Sequence, residues 1–285
     1  MSRNQTIDSF TAPAALVWRV RSRRRLILSL KYGRLRALIM LIVGLALGLG
    51  IWYFLSLFVF NSFLIPFPHK VGDAMWPMIT SGELGEAIQA SLRRVAVGFA
   101  LGSTTGIVLG ILMGRFRFFM ELVDPMIELL RFLSPTAMIT IALIWFGIGE
   151  NSKYFLVFWG VLFIVMINVW AGVLQVPPVR ERAARTLGAK EWQVFVYVVV
   201  PSTIPYIIAG LRIGMASAFV SIIPAELLGA RSGLGFLLQQ SGFLAQTDRI
   251  FVALVTITVL GFLADGLFRF GVSRLLSRYT SWAAA

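Results

Sequence analysis

Six long apolar runs constrain this chain more than any other feature of its sequence. The clearest is 37–60, which has twenty-four consecutive residues without a charged side chain. A bilayer core about 30 Å thick is crossed by about 20 apolar residues in a helix. The other runs are 95–114, 132–148, 154–176, a fifth that starts after Pro201 and Pro205 and reaches about residue 225, and 250–267. The sequence therefore predicts an all-α integral membrane protein with about six transmembrane helices, of which 37–60 is the first.

The overall composition agrees with a membrane protein and excludes several function classes. Apolar residues make up 58% of the chain and charged residues 14%, whereas soluble domains have about 25% charged residues. Cysteine is absent and His69 is the single histidine, so the chain lacks the usual ligands for zinc and a His-paired catalytic site. It also lacks the Gly-x4-Gly-Lys-Ser/Thr phosphate-binding motif. We predict a protein that is not an enzyme and holds no metal or cofactor of its own.

The distribution of Lys and Arg predicts the topology, because basic residues favour the cytoplasmic side of a membrane. Nine basic residues precede the first run, which places the N-terminal arm inside. The segments predicted inside are 1–36, 115–131, 177–201 and 276–285, and the segment predicted outside is 61–91. Arg93 and Arg94 do not follow this rule, since they would lie at the outer end of the second run.

Glycine recurs at every fourth position of the second run. Because a helix has about 3.6 residues per turn, these glycines share one slowly rotating face. Such a face lets another helix backbone approach closely. We predict close helix packing within one subunit, with packing at a moving interface as the alternative. The five residues are Gly98, Gly102, Gly106, Gly110 and Gly114.

The segment 177–201 is too long and too regular for a simple connector, since most connections have about 4–6 residues. A short helix is predicted around Ala183 and Ala184, and Gly188 follows where a turn residue would close it. A second apolar stretch then ends at Pro201. We interpret the segment as a helix-turn-helix on the inner face that acts as a lever for a cytoplasmic partner. The alternative is a re-entrant or surface-lying connector.

This segment resembles the EAA loop of ABC importer permeases, in which Glu-Ala-Ala is followed by three residues, Gly, nine residues and Ile-x-Leu-Pro. The two alanines, the glycine and the proline of this chain have the same spacings, and valines replace Ile and Leu. Arg182 stands in the place of the family's Glu, with Glu181 beside it. The resemblance implies an ATPase-coupling site formed by Glu181, Arg182, Ala183, Ala184, Gly188, Ala189 and Pro201.

Further motifs over about residues 80–280 are similar to the nitrate/sulfonate/bicarbonate–taurine branch of that family. They are Asp124-Pro125, Trp145-Phe-Gly-Ile-Gly149, Gly210-Leu-Arg-Ile213, Ala225-Glu-Leu227 and Gly233-Leu-Gly235. The resemblance implies a periplasmic loop over 61–91 and a permease core over 92–275, with the coupling loop at 177–201. It also implies that the protein lies in the bacterial cytoplasmic (inner) membrane.

The resemblance also implies partners and a transported solute. We expect a second permease copy, which would form a homodimer, and two cytoplasmic ATPase subunits that carry ATP and Mg. A periplasmic or lipid-anchored substrate-binding protein would deliver a small anion: nitrate, bicarbonate, a sulfonate such as taurine, or an aromatic carboxylate. The alternatives are a neutral heterocyclic precursor as the solute, or an ATP-independent channel or secondary carrier.

Charged residues inside apolar runs are costly and need an explanation. Glu226 either lines an outer gate or pairs with Arg231 or a backbone group. Arg212 has a structural partner or, if it faces the pore, suits an anion. Asp265 and Arg269 are four residues apart and are predicted to form a structural pair on one helix face at the inner surface.

Polar residues in the third to fifth runs are candidates for the translocation pathway. The runs that contain proline are the most suitable, because an irregular backbone at membrane depth is tolerated where it lines a cavity. The alternative for each small hydroxyl is a hydrogen bond within its own helix. The candidates are Ser134, Thr136, Thr140, Asn168, Ser217, Ser221 and Glu226.

Overall fold

The computed structural model describes residues 36, 39–61, 63–227 and 229–275, which form helices and turns without a strand. Five of the helices in this part of the chain are long and apolar enough to cross a membrane. The predicted basic arm, apart from Arg36, and the predicted tail 276–285 lie outside the described residues. The chain divides into two compact units, 1–68 and 69–285, and each is described by itself.

In the first unit, helix α1 spans Ile39–Val59, close to the predicted run 37–60. Its last five residues, Leu55–Val59, form a π-helical turn. The chain then folds back on this end of the helix. Ser56 Oγ donates a hydrogen bond of 2.7 Å to the Ile65 carbonyl, and Trp52 Nε1 donates one of 3.1 Å to the Pro66 carbonyl. The apolar side chains of α1 are mostly exposed within this unit.

α2 (Pro68–Thr80) starts at the last residue of the first unit, and α3 (Glu83–Arg115) follows it in the second unit. Gly82, whose φ of 82° is left-handed, separates the two helices. Glu83 and Glu86 in the first turn of α3 stabilise its positive end. The segment 61–91, predicted as a loop, therefore contains a helix and the first turns of α3.

The glycine face of α3 lies against α6 (Glu150–Leu174). A Cβ added to Gly98 would lie 2.5 Å from Val157 Cβ, and one on Gly110 would lie 2.6 Å from the Met166 carbonyl oxygen. The contacts advance along both helices together, so α3 and α6 are parallel. The α6 valines facing the five glycines are Val157, Val161, Val165, Val169 and Val173.

The predicted third span over 132–148 is wrong as a single helix. Within that range the structure has a non-helical stretch at 131–138 and the short helix α5 (Ile139–Phe146). A separate helix, α4 (Arg117–Leu130), precedes them. Pro135 explains the interruption, because proline lacks the backbone N–H and disfavours helical geometry at the residue before it. The predicted connector 115–131 is also mostly helical, and α4 packs on α6 through the buried Ile127.

The remaining helices complete the unit. α7 is Pro178–Thr186; α8 (Glu191–Val194) continues through a π-helical turn, Phe195–Val199, into α9 (Val200–Leu227). The π-helical turn ends two residues before Pro201, whose missing N–H interrupts regular helical bonding. α10 (Leu234–Phe243) and α11 (Thr247–Leu275) follow. α9 is antiparallel to α6, since Gly210 lies at Asn168 and Ser217 bonds to Gly160.

Candidate functional site

The segment 177–201 has the predicted helix-turn-helix geometry. Pro178 begins α7, where its missing N–H and fixed φ suit the first helical position. Gly188 has φ of 83° and ends the helix, with its N–H donating a 2.9 Å hydrogen bond to the Arg185 carbonyl. The Ala189 N–H donates a second hydrogen bond, of 3.1 Å, to the Ala184 carbonyl. These bonds close the turn between α7 and α8.

α7 presents an open surface, since none of its residues is fully buried. Leu187 is 88% exposed, and Val179 and Trp192 are also exposed. Of the predicted coupling residues, Arg182, Ala183 and Gly188 are exposed. The partly buried ones are Glu181, Ala184, Ala189 and Pro201. Exposed apolar side chains beside charged ones are typical of a surface that binds another protein.

An ionic cluster joins this hairpin to the end of α3. Arg115, the last residue of α3, donates a 2.6 Å hydrogen bond to Glu191 and lies 3.9 Å from Glu181. Arg185 pairs with both acids, at 2.7 Å from Glu191 and 3.2 Å from Glu181. The hydrogen bond to Glu191 raises the pKa of Arg185 above its ordinary value. Sequence reasoning missed Arg115 and Glu191, which are 76 residues apart.

Glu226 lies in a buried cluster at the opposite end of α3. Its side chain is 0% exposed and accepts a 2.7 Å hydrogen bond from Arg94 Nη1. Ser91 Oγ donates to the same carboxylate at 2.9 Å, and the Gly235 N–H donates at 2.8 Å. The predicted backbone partner is therefore present, but the predicted pairing with Arg231 is wrong, because Arg94 supplies the positive charge.

Arg94 extends this cluster to α6. It is 3% exposed, and its Nε and Nη2 donate to the two oxygens of Glu150 at 2.7 and 2.8 Å. Lys153 lies 3.3 Å from the same carboxylate. Arg94 Nη1 also donates a 2.6 Å hydrogen bond to the Ser232 carbonyl. Two cations and two carboxylates are thus balanced, which buried charges require, and four segments are joined at one point.

The interrupted third crossing lies beside α9 at mid-depth. Trp159 Nε1 donates a 2.8 Å hydrogen bond to the Leu133 carbonyl. A Cβ on Gly160 would clash with the Ser221 side chain and would lie 3.2 Å from Pro135 Cγ. Gly160 is ten residues from Glu150 and fourteen from Leu174, or about 15 and about 21 Å along α6.

The predicted pathway residues fall into three places. Ser134, Thr136 and Thr140 are exposed on the interrupted crossing, while Ser217 donates a 2.7 Å hydrogen bond to the Gly160 carbonyl and Ser221 is buried beside it. Asn168 donates a 2.8 Å hydrogen bond to the Ile164 carbonyl of its own helix. Glu226 belongs to the Arg94 cluster. The structure therefore brings Ser217 and Ser221 together at Gly160, beside Pro135 of the interrupted crossing, and leaves Asn168 and Glu226 apart.

Arg212 pairs with Asp265 on α11, at 2.8 Å. Asp265 also pairs with Arg269, at 3.1 Å, which confirms the predicted pair. Arg212 thus has an ionic partner that could not be identified from the neighbouring sequence, because Asp265 lies on another helix.

Comparison with known proteins agrees with this architecture. Residues 106–277 match the family described as binding-protein-dependent transport system inner membrane component. The taurine transport system permease protein TauC of Escherichia coli is 33% identical over 84% of this chain and 87% of its own length. The nitrate import permease protein NrtB of Synechocystis is 34% identical over 72% and 78%.

Solved structures share the fold. The crystal structure of an amino acid ABC transporter with histidines has a TM-score of 0.55 and 19% identity, over 72% of this chain and 97% of that one. An inward-facing MetNI methionine ABC transporter has a TM-score of 0.54 and 20% identity, over 72% and 98%. The chain therefore belongs to the binding-protein-dependent transport system inner membrane component family, as a multi-pass ABC permease subunit rather than an enzyme.

Proposed function

We propose that this permease couples to a separate ATPase through α7 and imports a small anion. The observation that carries the proposal is the open surface of α7 and of the turn after it, where Val179 and Leu187 are exposed. Its link through Glu181 and Glu191 to Arg115 at the end of α3 gives a direct mechanical connection. Movement of an ATPase docked on α7 would be passed to the helix that packs most closely on α6.

The solute class rests on the relatives. Proteins that are 33% and 34% identical carry the names taurine transport and nitrate import permease. Both solutes are small molecules with an oxyanion group. We therefore favour nitrate, bicarbonate, a sulfonate such as taurine, or an aromatic carboxylate, and keep a neutral heterocyclic precursor as the alternative.

The interrupted crossing supports a pathway beside α5 and α9. A non-helical backbone at mid-depth is tolerated where it is buried in protein or lines a water-filled cavity, and Ser134 and Thr136 are exposed there. Discontinuous helices near the bilayer centre also hold substrate sites in other transporters. Ser217 and Ser221 would lie along the same route. Glu226, which is fully buried, would act by holding the helix ends together.

The assembly proposed here has two copies of this permease, two ATPase subunits with ATP and Mg, and a periplasmic or lipid-anchored binding protein. Both termini of the permease would lie in the cytoplasm, because the N-terminal arm and the α7 segment are rich in basic residues. The Glu226 end of the bundle would then face the binding protein, and the α7 end would face the ATPase.

Affinity purification from the native membrane, followed by reconstitution in liposomes, tests this proposal. We expect an ATPase subunit to co-purify and nitrate or taurine uptake to require ATP. A homo-oligomer without any ATPase that moves either solute without ATP would contradict the proposal and favour the channel or carrier alternative.

A further inference from the structure

Helix α7 turns one side towards the rest of the permease and leaves the other side open. Glu181 and Ala184 are partly buried and define the inward side. At about 100° per residue, four residues lie about 130–170° around the helix from that side. All four are exposed, and together they form what we call the outward face: Val179, Arg182, Ala183 and Thr186.

Both carboxylates of the segment 177–201 are bound within the chain. Glu181 lies 3.2 Å from Arg185 and 3.9 Å from Arg115. Glu191 lies 2.6 Å from Arg115 and 2.7 Å from Arg185. Two guanidinium groups thus balance two carboxylates, so neither acid supplies a net negative charge to a partner that docks on α7.

Arg182 is the single charged residue of the outward face. Its guanidinium group forms no ion pair with any residue that the structure describes. The other arginines of α7 are bound within the chain: Arg185 belongs to the ionic cluster, and Arg180 Nη1 donates a 3.3 Å hydrogen bond to Ser202 Oγ. Thr186 Oγ1 donates to the Arg182 carbonyl of the same helix. The outward face therefore presents one unmatched positive charge.

The surroundings of this charge are apolar and small. Val179 is 71% exposed and Leu187, in the turn after α7, is 88% exposed, while Ala183 adds only a methyl group to the same face. A partner that covers this face removes Arg182 from water, and a charge removed from water is costly unless an opposite charge binds it. The outward face therefore fits an apolar groove that contains a carboxylate, which can accept two parallel hydrogen bonds from a guanidinium group.

The composition of the outward face favours a protein partner over a lipid surface. Helices that lie on membranes have a polar face rich in Lys and Arg and an opposite face of large apolar side chains. Here one arginine lies among Val179, Ala183 and Thr186, and the opposite side contains Glu181 of the ionic cluster. Neither side of α7 has the pattern of a helix that binds lipid.

We propose that the ATPase subunit docked on α7 presents a carboxylate to Arg182, inside an apolar groove that receives Val179 and Leu187. This inference rests on the proposed function and names the chemistry of the partner's groove. Arg182 stands where the EAA pattern has Glu, so this groove differs in charge from one that binds a glutamate. The contact therefore selects the ATPase subunit that belongs to this permease and rejects one with a basic groove.

The affinity of the co-purified ATPase subunit for the permease in nanodiscs tests the contact. We expect Arg182→Gln to weaken binding at least about tenfold, because it leaves the partner's carboxylate unpaired. Arg182→Glu should weaken it further through repulsion. Arg182→Lys should retain part of the affinity, since it keeps the charge and loses the two parallel hydrogen bonds. The matched control is Arg117→Gln, which removes an exposed arginine outside α7 and should bind as the wild type does.

A charge exchange identifies the partner's carboxylate. Each Asp and Glu of the ATPase groove is changed to Lys in turn and combined with Arg182→Glu, and one combination should recover most of the affinity. Since Arg182 forms no ion pair with the described residues, the permease variants should unfold at the wild-type temperature. Recovery by none of the exchanges would overturn the inference.

Three other results would also overturn it. They are unchanged affinity in both Arg182→Gln and Arg182→Glu, tighter binding in Arg182→Glu, and a loss of affinity in phosphatidylglycerol nanodiscs that is absent in phosphatidylcholine nanodiscs. The last result would assign Arg182 to lipid headgroups. A wild-type permease that binds no ATPase subunit contradicts the proposed function itself, whereas unchanged binding in the Arg182 variants overturns this inference alone.

Discussion

Arg94 and Glu226 are 132 residues apart in the sequence, and their side chains are 2.7 Å apart in the structure. Both are almost fully buried, and Arg94 also binds Glu150 with two hydrogen bonds. This one guanidinium group therefore joins α3, α6 and α9 at the end of the bundle away from α7. It also binds the Ser232 carbonyl in the turn before α10.

Removal of Arg94 should destabilise the permease strongly. Arg94→Met leaves two carboxylates without their main cation, and breaking a buried pair in this way costs about 3–5 kcal/mol. Denaturant titration of the solubilised protein measures the change in the free energy of unfolding. The double variant Arg94→Met/Glu226→Gln should lose less than the sum of the single variants. Arg117→Gln, an exposed pair, should change stability by less than about 1 kcal/mol, and an equal loss in both arginine variants would contradict this account.

A methyl group at the α3–α6 contact should also be costly. In Gly110→Ala the new Cβ would lie 2.6 Å from the Met166 carbonyl oxygen, and a backbone atom cannot turn away as a side chain can. We expect a loss of about 1–3 kcal/mol. The control is Gly85→Ala in the same helix, where nothing lies within 4 Å. That change should be neutral or stabilising by up to about 1 kcal/mol; a similar loss at both positions would disprove the close contact.

The turn after α7 depends on the left-handed conformation of Gly188. Gly188→Val forces a β-branched residue into φ of 83°, so the hairpin should distort. We expect ATP hydrolysis to continue while uptake per ATP falls. Gly188→Asn is the matched control, because Asn tolerates this conformation. Unchanged uptake per ATP in the valine variant would show that the geometry of this turn has no part in coupling.

The Arg115–Glu191 pair predicts a coupling defect with little change in stability. The pair is partly exposed, so Arg115→Glu should cost only about 1 kcal/mol of stability. The carboxylate that replaces the guanidinium group would repel Glu191. We therefore expect α3 to separate from the hairpin and uptake per ATP to fall. The exchanged pair Arg115→Glu/Glu191→Arg should recover much of the loss, as measured by uptake and hydrolysis on the same liposomes. Failure of the exchange to recover uptake would argue against transmission through this contact.

The sequence predicts the long helices well, because apolar runs such as 37–60 and 154–176 correspond directly to α1 and α6. It also predicts the α7 turn, since Gly188 is a local signal. The prediction of the third crossing as a single helix was wrong, because an apolar run does not by itself show that Pro135 interrupts the helix. The Arg94 cluster could not be found from local pattern, since its members come from separate helices. The one hint was that Arg93 and Arg94 contradict the charge rule for topology.

Site-specific cross-linking of α7 tests the central claim most directly. The chain has no cysteine, so Leu187→Cys introduces a single thiol on an exposed residue of the hairpin, and Phe243→Cys places the matched thiol on exposed α10 at the other end. With a thiol-reactive photo-cross-linker on the assembled complex, we expect Leu187→Cys to link to the ATPase subunit and Phe243→Cys to leave that subunit unlinked. An ATPase linked equally from both positions, or only from Phe243→Cys, would contradict the account.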